Sequence, residues 1–254
     1  MQLYHKPMII CAVYSSKGGV GKTAAAVNLA YVAAHGGQKV LLCDMDSQGS
    51  ASYYYRIKPK KRFNRARLLA GEAESYIRGT DYPGLDLLPA HFSFRKLDVA
   101  LNDRGIKTGG SALVELFAPL AREYDVLLLD CPPNLTVLSE HIIVAADFII
   151  VPVVPTTLSI LALDQLLKLM RKLGCRRDKL LAFFSMVEKR KSMHADIMRK
   201  YSDHPIFLSS AILYLAEIEK MGITRRPVGA GTGRSLAASY YQALWQEIEL
   251  RSGS

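Results

Sequence analysis

The sequence predicts an α/β fold: one doubly wound, mostly parallel sheet with helices on both faces. Three observations carry that expectation. Apolar runs of strand length at 8–14, 39–43, 85–88, 126–130, 148–154 and 180–187 are spaced by longer stretches of helical periodicity, such as 21–35, 111–122, 159–173 and 235–250. A glycine-rich loop, GGVGKT at 18–23, stands between the first strand and the first helix. No repeat, low-complexity tract or Pro/Gly/Ser linker interrupts the alternation, so residues 1–254 are expected to form a single domain. The least regular stretch is 56–82, rich in Arg and Lys.

The first run leads directly into SSKGGVGKT at 15–23. Gly18, Gly19 and Gly21, with Val20 among them, let the backbone fold tightly enough for its N–H groups to point at phosphate oxygens, because only a residue without Cβ permits that approach. A helix opening near Gly21 adds its end N–H groups to the anion site, and Ala24 completes the nucleotide-binding segment. Lys22 then reaches the β- and γ-phosphates of the nucleotide, and the Thr23 hydroxyl holds Mg²⁺. The generic phosphate-loop pattern wants glycine at position 16, where this chain has Ser16; the strand–loop–helix context and the additional Lys17 identify the loop nonetheless.

The second run, 39–43, is followed by Asp44 and Asp46 in LLCDMDSQGSAS at 41–52. The run 126–130 ends on Asp130 and is followed by Pro132 and Pro133. A single acid at a strand end can merely cap the next turn. Three acids at the strand edge where open α/β sheets bind ligands, arriving after a phosphate loop, point instead to a metal–nucleotide site.

KGGVGKT at 17–23 resembles the deviant Walker A loop of the ParA/MinD family of P-loop NTPases, and the resemblance extends over nearly the whole chain. LLCDMDSQGSAS at 41–52 is similar to the second motif of that family, LLLDCPP at 127–133 to its Walker B strand, FSMVEKRK at 184–191 to a later segment, and SLAASYYQALWQEI to its last helix. The resemblance implies a homodimer formed around ATP and Mg²⁺, in which Lys17 crosses the interface to touch the phosphates of the partner's ATP. It gives Asp46 the task of positioning the attacking water, Asp44 that of supporting the metal shell, and Asp130 that of holding a Mg²⁺-bound water. The implied activity is slow hydrolysis of ATP to ADP and phosphate, stimulated by a small partner protein that is ParB-like or a cargo adaptor. The chain departs from the family in two places. Ala211-Ile212-Leu213-Tyr214 stands where an Ile-Pro-Arg turn often walls the adenine pocket, and VVPTTLSILALDQL follows the 148–154 strand where many partition ATPases carry Gln-x-Glu.

Composition points to partners. The net charge is +10, with eleven Lys or Arg against three acids in 168–200, and seven against none in 56–67. Clustered cations neutralise phosphates and release counterions, giving sequence-independent, salt-sensitive DNA binding. Given the resemblance, Arg176, Arg177, Lys189, Arg190, Lys191, Arg199 and Lys200 are the first candidates for that surface, on segments that dimerisation could join, and the 56–67 cluster is the second. No helix-turn-helix module precedes the phosphate loop, which argues against a specific operator.

The leading reading is thus a nucleoid-associated cytoplasmic ATPase that segregates or positions a cargo such as a plasmid, a chromosome or a carboxysome. A MinD-like membrane ATPase would need a basic amphipathic C-terminal helix. Residues 236–250 hold no Lys or Arg and two acids, Glu247 and Glu249, so a packing role for Tyr240, Tyr241 and Trp245 is expected and membrane binding is not. A third reading, an ATP-dependent synthetase of the same superfamily, would need a small-molecule pocket for which no distinct constellation is visible. No apolar run approaches the roughly 18–20 residues that span a bilayer, and no signal-peptide cleavage site is visible. Cys11, Cys43, Cys131 and Cys175 form no CxxC pair and are expected to be reduced thiols.

Overall fold

The computed structural model describes residues 8–60, 63–68, 70–97 and 112–253. Lys61 and Arg62 of the second basic cluster, and residue 111 of the expected helix 111–122, lie outside them.

Eight strands form one sheet: β1 (Ile9–Val13), β2 (Val40–Asp44), β3 (Arg78–Gly79), β4 (Leu85–Leu88), β5 (Val126–Asp130), β6 (Phe148–Val153), β7 (Leu180–Val187) and β8 (Phe207–Leu213). Their order is β3-β4-β2-β5-β1-β6-β7-β8. Every pairing is parallel except β3 with β4. The six apolar runs read from the sequence are β1, β2, β4, β5, β6 and β7. The chain starts in the middle of the sheet at β1 and builds outward in both directions, which places the reversal of strand order beside β1, where open α/β sheets form their ligand crevice.

Alternate residues of each strand feed separate cores on the two faces. Cys11, Val13, Leu42 and Leu128 pack with α1 (Lys22–His35) and the C-terminal helix Leu236–Ser252. Ile10, Ala12, Leu41 and Leu127 pack on the opposite face with the helices Ala112–Phe117, Val137–Ala145 and Thr157–Lys172. The sheet is therefore doubly wound, as expected. In the C-terminal helix Tyr241, Leu244, Trp245 and Ile248 are buried and Tyr240 packs at the margin, so the aromatic residues there serve the core. Cys11, Cys43 and Cys131 are buried as well.

Two expectations change. The helix expected over 111–122 runs as an α-helix only over Ala112–Phe117 and continues as a 3₁₀ turn, Ala118–Arg122, with Pro119 at the junction. Proline has no N–H to give the α pattern. The edge strand β8 escapes the apolar-run reading because FLSSAIL is broken by Ser209 and Ser210. Their backbone N–H groups donate instead to the Glu247 carboxylate, at 2.7 and 2.9 Å, which protects part of the sheet edge.

Candidate nucleotide site

The loop between β1 and α1 meets the ends of β2 and β5 at the C-terminal edge of the sheet. Gly19 and Gly21 adopt φ of 72° and 91°, the left-handed region, and Gly21 caps α1. The loop turns back so far that Lys22, in the first turn of α1, donates its ammonium to the Lys17 carbonyl at 3.1 Å. Lys22 is only 8% exposed. Burial lowers its pKa, while Asp130, Cys131 and Asp46 pull it back up.

Asp44 and Asp130 are paired neighbours in the parallel register of β2 and β5, and both are fully buried. One oxygen of Asp44 accepts from both the backbone N and the hydroxyl of Ser52, at 2.8 and 2.7 Å, and the other has no partner. Ser52 in turn accepts from the Ala90 backbone N, so this carboxylate also anchors the helix Ser50–Tyr54. Neither oxygen of Asp130 has a well-formed hydrogen bond, and the Thr23 hydroxyl beside it gives only weak support to its charge. Burial, and next the neighbouring Asp44 charge, raise the Asp130 pKa well above the carboxylate range, against the opposing pull of Thr23 and Lys22. Burial likewise pushes Asp44 up to about 6, although its bonds to Ser52 resist. Buried carboxylate oxygens without donors are poorly tolerated unless a cation compensates them. Among the described residues no three Asp, Glu, His or Cys side chains cluster closely enough to hold a metal ion by themselves, but these oxygens and the Thr23 hydroxyl are the donor type that Mg²⁺ takes when phosphate and water complete its shell, so the residues fit the expected ion.

A cleft of about 420 Å³ opens from this corner. Gly18, Gly19, Gly21, Lys22, Thr23 and Ala24 line one end, and Val20 is buried beneath the loop. Asp46 lines the side, its carboxylate accepting from the Gln48 backbone N in a tight turn. The far end is made by Ile212, Leu213, Tyr214 and Ile218, so the stretch that departs from the family's adenine wall does face the cleft. Its apolar surface suits the faces of a planar base. Ser185 and Met186 at the end of β7 also line the cleft, as do Tyr54 and Tyr241, none of which was singled out as a site residue from the sequence. Met186 has φ of 54°, a backbone conformation that costs a residue with a side chain about 1–2 kcal/mol. The similarity of FSMVEKRK to a family segment was the available signal for the first pair; Tyr54 and Tyr241 carried none beyond being aromatic.

Lys17, next to Gly18, is half-buried and is not among the residues that line the cleft. Its ammonium donates to the Ser159 hydroxyl at 3.2 Å, within its own chain.

The first basic cluster is not one surface in the chain. Arg176 and Arg177 precede β7, whereas Lys189, Arg190 and Lys191 follow it, so about 25 Å of strand separates them. The helix Ser192–Tyr201 then returns Arg199 and Lys200 toward the far edge, where Arg177 contacts His204. A larger cleft, about 770 Å³, lies at that edge among the starts of β1, β6, β7 and β8, with Arg176, Arg177, Lys179 and Arg251 around it. It lies at the opposite end of the strands from the phosphate loop. In the second cluster, Arg56 pairs with Asp81 and Arg67 with Glu72.

Comparison with known proteins agrees with this geometry. A family described as AAA domain matches residues 8–183. A chromosome partitioning protein ParA of Caulobacter vibrioides is 30% identical over 208 residues, 78% of this chain and 77% of that protein. Among solved structures, a putative plasmid partition protein of Borrelia burgdorferi bound to AMPPNP superposes with a TM-score of 0.80 at 22% identity, covering 97% of this chain and 100% of that one. A cobyrinic acid a,c-diamide synthase of Mycobacterium smegmatis with bound ADP and magnesium gives 0.79 at 24%, covering 97% of each chain. The phosphate loop, the paired strand-end acids and these matches together make the chain a member of the ParA/MinD-type family of P-loop NTPases.

Proposed function

We propose that residues 1–254 act as one ParA-like ATPase domain, which forms an ATP-bound sandwich dimer, binds DNA without sequence preference and positions or segregates a cargo. The observation that carries the reading is one cleft lined by the glycine loop, the buried Lys22 ammonium, Thr23 and Asp46, with the buried Asp130 carboxylate near enough to Lys22 and Thr23 to feel both. ATP fits that arrangement: the loop N–H groups and Lys22 take the β- and γ-phosphates, and the apolar end takes the base. Mg²⁺ would be held by Thr23 and, directly or through water, by Asp130 and the free oxygen of Asp44; it would neutralise charge on the phosphates.

In hydrolysis, water attacks the γ-phosphorus and ADP leaves. Asp46 orients that water from the side of the cleft, and Lys22 steadies charge on the phosphoryl oxygens. Lys17 reaches the phosphates of the partner's ATP, linking nucleotide to dimerisation. No arginine lines the cleft among the described residues, which supports a slow reaction awaiting a stimulating partner such as a ParB-like protein or a cargo adaptor.

The excess of cations and the kinship with partitioning proteins support DNA as the surface on which the proposed dimer works, and with it the proposal of a cytoplasmic, nucleoid-associated protein. The membrane alternative is disfavoured because Tyr241, Leu244, Trp245 and Ile248 of the helix Leu236–Ser252 are buried in the core, leaving only Leu236 and Leu250 as large exposed apolar side chains on it. Among the described residues no helix is long and apolar enough to cross a membrane. The similarity to a synthase supports the shared fold alone.

Calorimetric titration with ATP, with and without Mg²⁺, tests the site. Binding should tighten with Mg²⁺, and Asp130→Asn should remove most of that gain while leaving the protein folded. Equal affinity in all four combinations would overturn the reading.

A further inference from the structure

We propose that Ser159 is a positioning residue that holds Lys17 inside its own chain and thereby sets how readily the ATP dimer forms; the inference rests on the role given to Lys17 above. Ser159 is only 4% exposed and stands in the first turn of the helix Thr157–Lys172, within reach of the Lys17 ammonium at 3.2 Å. Its own place is fixed by Thr156, whose hydroxyl lies 3.1 Å from the Ser159 hydroxyl and accepts from its backbone N. Among the described residues Lys17 makes no salt bridge. A neutral hydroxyl is thus its side-chain partner.

That choice of partner matters energetically. A hydroxyl holds an ammonium less firmly than a carboxylate does, and the positive end of a helix dipole disfavours a cation in its first turn. Lys17 is tethered, but against an opposing field, which suits a side chain that must let go. Leu158 and Leu161, on the same helix, are 66% and 51% exposed, so the helix presents apolar surface beside the tether. In a symmetric dimer both lysines must be released, and the cost enters the dimerisation constant twice.

The test is sedimentation velocity over a range of protein concentrations with Mg²⁺ and a non-hydrolysable ATP analogue. Ser159→Ala should tighten dimerisation roughly 10-fold, about threefold for each tether removed. Ser159→Asp should weaken it by at least as much, because the carboxylate grips Lys17. Ser159→Thr, which keeps the hydroxyl, should match the unaltered protein, and monomer affinity for the analogue should be unchanged in all three. A purely structural role for Ser159 predicts otherwise, since aspartate in a first helical turn is stabilising and should not impair the dimer. If the Ala and Asp variants shift dimerisation in the same direction, or neither shifts it while Lys17→Ala abolishes it, the inference falls and the dimer reading stands. If Lys17→Ala leaves the analogue-dependent dimer intact, the role of Lys17 falls and the inference with it.

Discussion

The phosphate loop with its acids and the basic stretch 168–200 use the same kinds of charged side chain and reach opposite ends. In the first, topology forces the ends of three neighbouring strands together, so Lys22, Asp44 and Asp130 are buried with too few partners. In the second, the cations stand in water: the Arg176 and Arg199 side chains are 79% and 78% exposed. Acids two or three residues away pair with Arg176, Lys191 and Arg199. Such surface pairs contribute about 0–1 kcal/mol each. Charge density in the sequence therefore marks a field, whereas charge at converging strand ends marks a site. Only the latter assigns a task to each side chain.

That contrast can be broken most decisively at Lys22. On the proposed function, Lys22→Ala should weaken nucleotide binding by about 100-fold or more, since it removes the desolvated cation assigned to the phosphates, and a titration showing little change would mean that the loop does not face the nucleotide. A loss of about 100-fold in turnover with binding retained is expected for Asp46→Ala, leaving a persistent ATP dimer. Phosphate-release kinetics check this; normal turnover there, with turnover abolished by Asp44→Ala, would exchange the tasks of the two acids.

The basic surface should respond more gently and in proportion to charge. Reversing Lys189 and Arg190 at the near edge, or Arg176 and Arg199 at the far edge, should lower affinity for unrelated duplexes alike and reduce the salt slope by about 1 for each DNA phosphate no longer neutralised, without reducing ATP binding. Gel-shift titrations at two salt concentrations would show which edge matters, and no ATP-dependent retardation at low salt would return both clusters to ordinary solvated surface.

The smallest effect concerns the sheet edge. Burial pushes the Glu247 carboxylate up, but the bonds from Ser209 and Ser210 outweigh it and leave its pKa below the ordinary 4.5. Its stabilising contribution is therefore present above that value and is lost as pH falls through the lowered one. Glu247→Gln should cost about 1 kcal/mol at neutral pH and less in acid, as read by urea unfolding; an equal cost at both would assign the effect to shape.

Much of this is legible in the amino-acid sequence alone. Six of the eight strands read as apolar runs, interrupted internally only by Asp86 in β4 and Ser185 in β7, because strands buried on both faces tolerate little else. Two kinds of feature are not legible there. β8 hides its strand character behind two serines whose partner, Glu247, lies in another element. The cleft wall of Ser185, Met186, Tyr54 and Tyr241 is assembled from separate elements, and no local pattern reports such an assembly. The double duty of Asp44, as anchor for the helix Ser50–Tyr54 and as an open acid beside Asp130, likewise depends on Ser52, eight residues away.

The central claim, that nucleotide drives two copies of this chain together, is tested most directly by sedimentation of the unaltered protein without nucleotide, with ADP and with ATP, each in the presence of Mg²⁺. The account predicts a monomer in the first two cases and a dimer with ATP that decays as the ATP is hydrolysed. A monomer under all three conditions while ATP is being consumed would contradict it.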